Sequence, residues 1–173
     1  MPKFLLVRFS SIGDIVLTTP VIRCIKQQLK DAEIHFITRS TFKDVLSTNP
    51  YIDKLHVMDD KLSGVIPSLK KEKFDFIIDL HHNQRSWVLK KQLKIPSFAF
   101  HKLNIEKWLM VNFKINRLPQ KHIVDRYLDV VNTFGVTNDK EGLDFFIEPS
   151  ALSIHDSLPS FHKEGFIAFV IGA

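Results

Sequence analysis

Apolar residues fall in two alternating patterns along the chain. Residues 3–9 (KFLLVRF) are a short, nearly continuous apolar run closed by Ser10-Ser11-Ile12-Gly13, and from Ile15 to Leu29 apolar positions recur at helical spacing. This predicts a strand, a tight loop and a helix. The alternation repeats, with predicted strands at 33–38, 53–58, 74–80 and 97–101 and predicted helices at 41–48, 65–72, 86–93 and 105–113. Runs such as FLLVRF and FDFIIDL lack the in-out alternation of a half-exposed strand, as expected where helices cover both faces of a parallel sheet. The expected fold is α/β, a Rossmann-like, doubly wound, mostly parallel sheet. A further helix over 121–134 places Ile123, Val124, Tyr127, Leu128, Val131 and Phe134 on one broad face and stops at Gly135. Thr19-Pro20 gives a second helix-start signal inside the first helical stretch, so residues 14–18 are expected to be partly loop.

After Gly135 the pattern changes. Residues 137–163 are polar, with Pro149 and Pro159, and GFIAFVI at 165–171 begins another buried-strand pattern. The expected organisation is therefore a Rossmann-like domain at 1–136, an interdomain connection at 137–163 and the first strand of a further domain at 164–173. The alternative is a terminal strand added to the edge of the first sheet.

Composition narrows the class. With 173 residues, 45 % apolar and 25 % charged, the chain is of ordinary globular type rather than collagenous, disordered or a disulfide scaffold. Its single cysteine, Cys24, cannot form an internal disulfide, which favours an intracellular setting. Only four apolar residues precede Arg8, too few for a signal-peptide core or a membrane span.

The net charge of +5 is unevenly placed: residues 1–60 carry 8 basic and 7 acidic residues, 61–126 carry 14 and 5, and 127–173 carry 2 and 7. A basic middle third favours an anionic partner, whether phosphorylated or carboxylated substrate, anionic membrane surface or nucleic acid. Six of the cations are arginines, and Arg8, Arg85 and Arg126 are the better candidates for bidentate anion recognition. The alternation of basic and aromatic residues at 98–114 resolves at helical spacing into an apolar face of Ile105, Trp108, Leu109 and Phe113, with membrane contact as the alternative to core packing. No aromatic and basic sheet motif supports nucleic acid, which is not expected as a partner.

In open α/β sheets, ligands bind beyond the carboxyl ends of the strands. The loop after the first strand, Ser10-Ser11-Ile12-Gly13-Asp14, has neither a dinucleotide fingerprint nor a P-loop. Its hydroxyls and glycine can still expose backbone N–H groups to an oxyanion. Asp14 can accept a proton from a substrate hydroxyl or merely cap the helix. The loop after the fourth strand, His81-His82-Asn83-Gln84-Arg85-Ser86, offers donors such as Asn83, Gln84 and Arg85 suited to a polyhydroxylated or anionic ligand, or else is a polar capping loop. His122 and Arg126 stand one helical turn apart, placed either to reach a substrate or to pair at the surface. Adjacent histidines diverge and no other cluster has metal-ligand spacing, so no metal is expected.

These segments carry a resemblance. KFLLVRFSSIGDIVLTTPVIRCIKQQLK resembles the start of the ADP-heptose:lipopolysaccharide heptosyltransferases (glycosyltransferase family 9), with a Ser-Ser-x-Gly-Asp loop after the first strand. IIDLHHNQRS at 77–86 and KHIVDRYLDVV at 121–131 resemble two further segments of that family, and GFIAFVIGA is similar to the opening of its second domain. The resemblance implies the N-terminal, acceptor-binding half of a GT-B enzyme that transfers a sugar from an ADP-sugar with inversion and without a metal. It makes Asp14 the catalytic base, Ser10, Ser11 and Gly13 its loop, and Arg85, Arg126, His82, Asn83 and His122 acceptor-side residues. No cofactor is expected beyond the ADP-sugar donor, held mainly by the second domain. The expected partners are that nucleotide sugar and an anionic, lipid-linked sugar acceptor, at the cytoplasmic face of the inner membrane. The rival expectation is a non-catalytic, flavodoxin-like binding module.

Overall fold

The computed structural model describes residues 1–59 and 61–148. Among them, five parallel strands form one sheet in the order β3-β2-β1-β4-β5, comprising β1 Lys3–Val7, β2 Glu33–Arg39, β3 Lys54–Met58, β4 Phe76–Asp79 and β5 Ser97–Ala99. β1 sits at the centre, pairing with β2 through Lys3 to Glu33 and Val7 to Ile37, and with β4 through Phe4 to Phe76 and Val7 to Asp79. Chain order reverses between β1 and β4, so the loops after these two strands frame the crevice where this topology binds ligands.

The unbroken apolar strand pattern is explained by two separate cores. Phe4, Leu6, Ile34, Phe36 and Ile78 point to one face, where α2 (Thr19–Gln28) and α6 (Ile123–Val131) cover them with Ile22, Ile25, Tyr127, Leu128 and Val131. Leu5, Val7, Ile37 and Ile77 point to the other, beneath α3 (Ile66–Glu72) and α4 (Gln84–Leu93) with Leu69 and Leu89. Each such fully buried side chain contributes about 1.5–3 kcal/mol, and a strand with no polar face has no second register.

Three expected elements differ. The first helical stretch divides into α1 (Ile12–Val16) and α2, separated where Thr18 Oγ1 donates to the Ile15 carbonyl at 2.6 Å and Thr19 Oγ1 to the Val16 carbonyl at 2.8 Å. Asp14 is thus helical, not loop. The stretch expected as an α-helix at 41–48 is a 3₁₀ segment, Ser40–Val45, with no buried residue, too weakly anchored to extend. The last helix begins at Ile123, because His122 is its cap: its Nδ1 accepts the Val124 N–H at 3.3 Å. α5 (Asn104–Phe113) forms as expected but buries none of its residues.

Residues 137–148, the described part of the expected interdomain connection, hold no helix or strand, yet they are tied to the sheet domain. Gln28 and Thr137 exchange backbone and side-chain hydrogen bonds at 2.8 and 2.9 Å. Arg23 on α2 makes a two-pronged contact with Asp139 at 2.7 and 2.9 Å, and also pairs with Asp144. Thr48 Oγ1 donates to the Phe146 carbonyl at 2.6 Å. The terminal strand expected at 164–173 lies outside the described residues. No helix among the described residues is long and apolar enough to cross a membrane.

Candidate functional site

The crevice between β1 and β4 opens into a cleft of about 480 Å³ whose wall includes Arg8, Asp14, His81, Lys102, Arg126 and Tyr127. Its floor is organised by Arg8, which is buried at the exit of β1. The guanidinium donates through Nε to the Ser10 carbonyl at 2.7 Å, through Nη1 to the Leu80 carbonyl at 2.6 Å and to the Tyr127 hydroxyl at 3.0 Å, and its Nη2 pairs with Asp14 Oδ2 at 2.5 Å. One side chain therefore joins the loops after β1 and β4, helix α6 and the carboxylate. A planar fork of fixed donors can do this; an ammonium cannot.

Asp14 stands on the first turn of α1, three residues after Ser11. Ser11 Oγ donates to its Oδ2 at 3.1 Å and the Ser11 N–H at a long 3.4 Å. The capping role weighed from the sequence is thus present, but it is the weaker contact beside Arg8. Among the described residues every contact to Asp14 falls on Oδ2, so the carboxylate is held by one oxygen, and the residue lines the cleft. Partial burial pushes the carboxyl up, but the Arg8 charge and the Ser11 hydrogen bonds outweigh it and hold it below the ordinary carboxylate value. The Ser10–Ser11 peptide is cis. Gly13 has an ordinary helical backbone, and the space its missing Cβ would occupy is open.

The other predicted residues divide. Arg126 reaches the cleft: it donates to the His101 carbonyl and lies 5.7 Å from the centre of the Phe100 ring, which packs edge-on against Tyr127 at 4.9 Å. The remaining four do not line it. His82 adopts a left-handed backbone, φ 50°, and its Nδ1 bonds the Phe100 carbonyl at 2.8 Å. Asn83 caps α4, its Oδ1 accepting the Ser86 N–H at 2.9 Å. Arg85 is exposed on α4, and His122 lines a separate hollow with Pro20 and Asn138.

Sequence reasoning missed the residue that does turn inward after β4. Asp79 Oδ1 accepts the N–H of His81 at 3.1 Å and of His82 at 2.7 Å, fixing a turn that sends the neighbours opposite ways. His81 lies edge-on against Phe9 at 5.2 Å, and its Nδ1 is buried with no partner among the described residues. Burial, aided by the Arg8 and Lys102 charges, pushes it down to about 4, so it is neutral at physiological pH. The signal was available in the strand-ending Asp79, a residue type that bonds its own backbone two and three positions on. Lys102 and Lys107 also line the cleft, giving four fixed cations against the single carboxylate of Asp14. A larger hollow of about 570 Å³ beside Met58 and Lys61 has no comparable set of converging groups.

A second cluster lies away from the cleft, near the opposite ends of β2 and β3. His35, His56 and Glu72 place ligand-type atoms within 4.8 Å of one another, a grouping hidden by their separation in sequence. These atoms engage one another and their neighbours: His35 Nδ1 meets His56 Nε2 at 2.9 Å, His35 Nε2 meets Glu33 at 2.8 Å, and Glu72 binds Lys3 at 3.1 Å and Lys54 at 2.5 Å. It is a closed polar network within the wall.

No protein-family model matches the chain. Lipopolysaccharide heptosyltransferase 1 of Campylobacter coli is 29 % identical over 139 residues, covering 75 % of this chain and 41 % of that protein. Lipopolysaccharide heptosyltransferase 3 of Escherichia coli is 28 % identical over 140 residues, 73 % and 40 % respectively. Over about three quarters of its own length the chain is thus similar to lipopolysaccharide heptosyltransferases. Solved structures agree in fold: a glycosyl transferase family 9 protein from Veillonella parvula superposes with a TM-score of 0.73 at 24 % identity, over 94 % of this chain and 49 % of that one. Escherichia coli heptosyltransferase WaaC with ADP gives 0.63 at 18 %, over 82 % and 50 %. The parallel sheet with flanking helices is thus that of GT-B heptosyltransferases, and the chain spans about two-fifths of the curated relatives and half of these structures.

Proposed function

We propose that this domain is the acceptor-binding side of an inverting sugar transferase of the heptosyltransferase type, with Asp14 as general base. The observation that carries the reading is the way Asp14 is presented: Arg8 and Ser11 hold one carboxylate oxygen of a residue that lines an open, cationic cleft at the switch point of the sheet. As the acceptor oxygen forms its bond to the anomeric carbon, the bond from that carbon to the diphosphate oxygen breaks. ADP departs with the electron pair, and the hydroxyl proton passes to Asp14. Arg8 keeps the base ionised and aimed, while Lys102, Lys107 and Arg126 complement carboxylates or phosphates on a lipid-linked inner-core acceptor. The ADP-sugar would be held by the part of such enzymes that this chain does not match, and the domain would work at the cytoplasmic face of the inner membrane.

Replacing Asp14 by Asn in the intact transferase keeps size and removes the base. Steady-state kinetics should show kcat reduced by about 10²–10⁴, with acceptor affinity little changed. A variant within about tenfold of the parent would refute the base assignment.

A further inference from the structure

α5 is a ten-residue helix with no buried residue, although six of its positions are large and apolar. Ile105 is 72 % exposed, Val111 68 %, Phe113 60 % and Trp108 56 %, and Trp108 and Phe113 already pack edge-on at 5.3 Å on the outside of the molecule. A surface of this kind is costly in water and marks an interaction site. Its surroundings say which kind. Residues 101–121 carry five basic residues (Lys102, Lys107, Lys114, Arg117 and Lys121) and a single acidic one, Glu106. Apolar side chains flanked along the chain by cations, of which Lys121 is paired with Asp129, match the boundary of an anionic bilayer, where rings enter the acyl region and ammonium groups meet phosphate. The helix is also continuous with the cleft: Leu103, Asn104 and Lys107, at its first two turns, line the cavity that holds Asp14.

We infer that α5 is the element by which this domain docks on an anionic lipid surface, with Ile105, Trp108 and Phe113 inserted and Lys114 and Arg117 on the headgroups. The choice of lipid over a protein partner rests in part on the reading of the acceptor as lipid-linked. Docked in this way, the helix sets the mouth of the cleft against the leaflet, where such an acceptor can enter without leaving the bilayer.

The test uses the whole chain, in a Trp87→Phe background so that Trp108 alone reports, with vesicles of phosphatidylglycerol and phosphatidylcholine (1:1) or of phosphatidylcholine alone. Expected are co-flotation with the anionic vesicles at physiological salt, a blue shift of Trp108 emission and its quenching by brominated acyl chains. Trp108→Ser with Phe113→Ser, or Lys114→Glu with Arg117→Glu, should each lower partitioning by about tenfold or more. Circular dichroism should show the fold retained, since none of the four side chains is buried. No flotation of the parent chain, equal flotation of the variants, Trp108 already shielded without vesicles, or a concentration-dependent dimer abolished by the aromatic pair would each overturn the proposal. Asp14→Asn should float like the parent. Loss of docking with Asp14 still essential on a lipid-free acceptor sinks this inference alone, and docking with Asp14 dispensable sinks only the catalytic reading.

Discussion

Arg8 interrupts the first apolar run, where a strand ending in another aliphatic residue would be the ordinary choice. Its four contacts define what the site requires of it: two carbonyls, a hydroxyl and a carboxylate from three separate segments. Arg8→Met removes the charge that, together with the Ser11 hydrogen bonds, outweighs burial at Asp14, so the Asp14 carboxyl should rise and the acid limb of the kcat/KM profile should move to higher pH. Turnover at neutral pH should fall by about 10²-fold, since the carboxylate also loses its anchor. An unshifted acid limb would show that Arg8 does not act through Asp14. At this scale the sequence was partly legible. Asp14, Arg8 and Arg126 could be singled out because residue type and the position after a strand suffice for them. His82 and His81 were not distinguished, because the clue lies in one residue upstream, Asp79, whose bonds to both backbone N–H groups fix the turn.

Among elements, α2 carries the least expected burden. Its buried face serves the core, but Arg23, a residue that periodicity assigns to no partner, reaches out to Asp139 and Asp144 and fastens residues 137–148 alongside. Paired with Arg23, Asp139 is held far below the ordinary carboxylate range and Arg23 far above its own. Arg23→Met leaves two largely buried carboxylates facing each other and should cost about 3–5 kcal/mol. Thermal denaturation of the chain should register this as a fall in Tm of roughly 2–4 °C per kcal/mol. A loss below about 1 kcal/mol would mean the strap contributes little. Helices α2, α3, α4 and α6 were legible because each has one face that must be buried. The 3₁₀ segment at 40–45 and the break at Thr18-Thr19 were not, since the first buries no residue and local hydroxyl-to-carbonyl bonds, not hydrophobic period, set the second.

For the whole molecule, the α/β alternation, the parallel pairing and the place of the cleft follow from strand runs that must be covered on both faces. Strand order and the gathering of His35, His56 and Glu72 do not, because parallel register brings together residues that no local pattern links. That network bears on stability. Burial, reinforced by the neighbouring His35, pushes His56 down to about 4. In the unfolded chain a histidine titrates near its ordinary value of about 6.5. Between these two pH values the unfolded state takes up a proton that the folded state refuses, so stability is full above the upper one and declines as pH falls toward the lower. The loss from His56 is on the order of 3 kcal/mol. Urea denaturation from pH 7.5 to 4 should show this decline, and His56→Phe should flatten it. An unchanged slope in the variant would place the acid sensitivity elsewhere.

The central place of β1 also constrains how the domain is made. Val7 pairs with Ile37 on one side and Asp79 on the other, so during synthesis β1 waits for a neighbour 72 residues further on. At about 5–20 residues per second that wait lasts about 4–14 s, during which an edge of FLLV stays unsatisfied. Biogenesis of this domain therefore includes a window in which its most apolar strand is open to chaperones or to a neighbouring nascent chain, and slower translation before residue 79 would lengthen it.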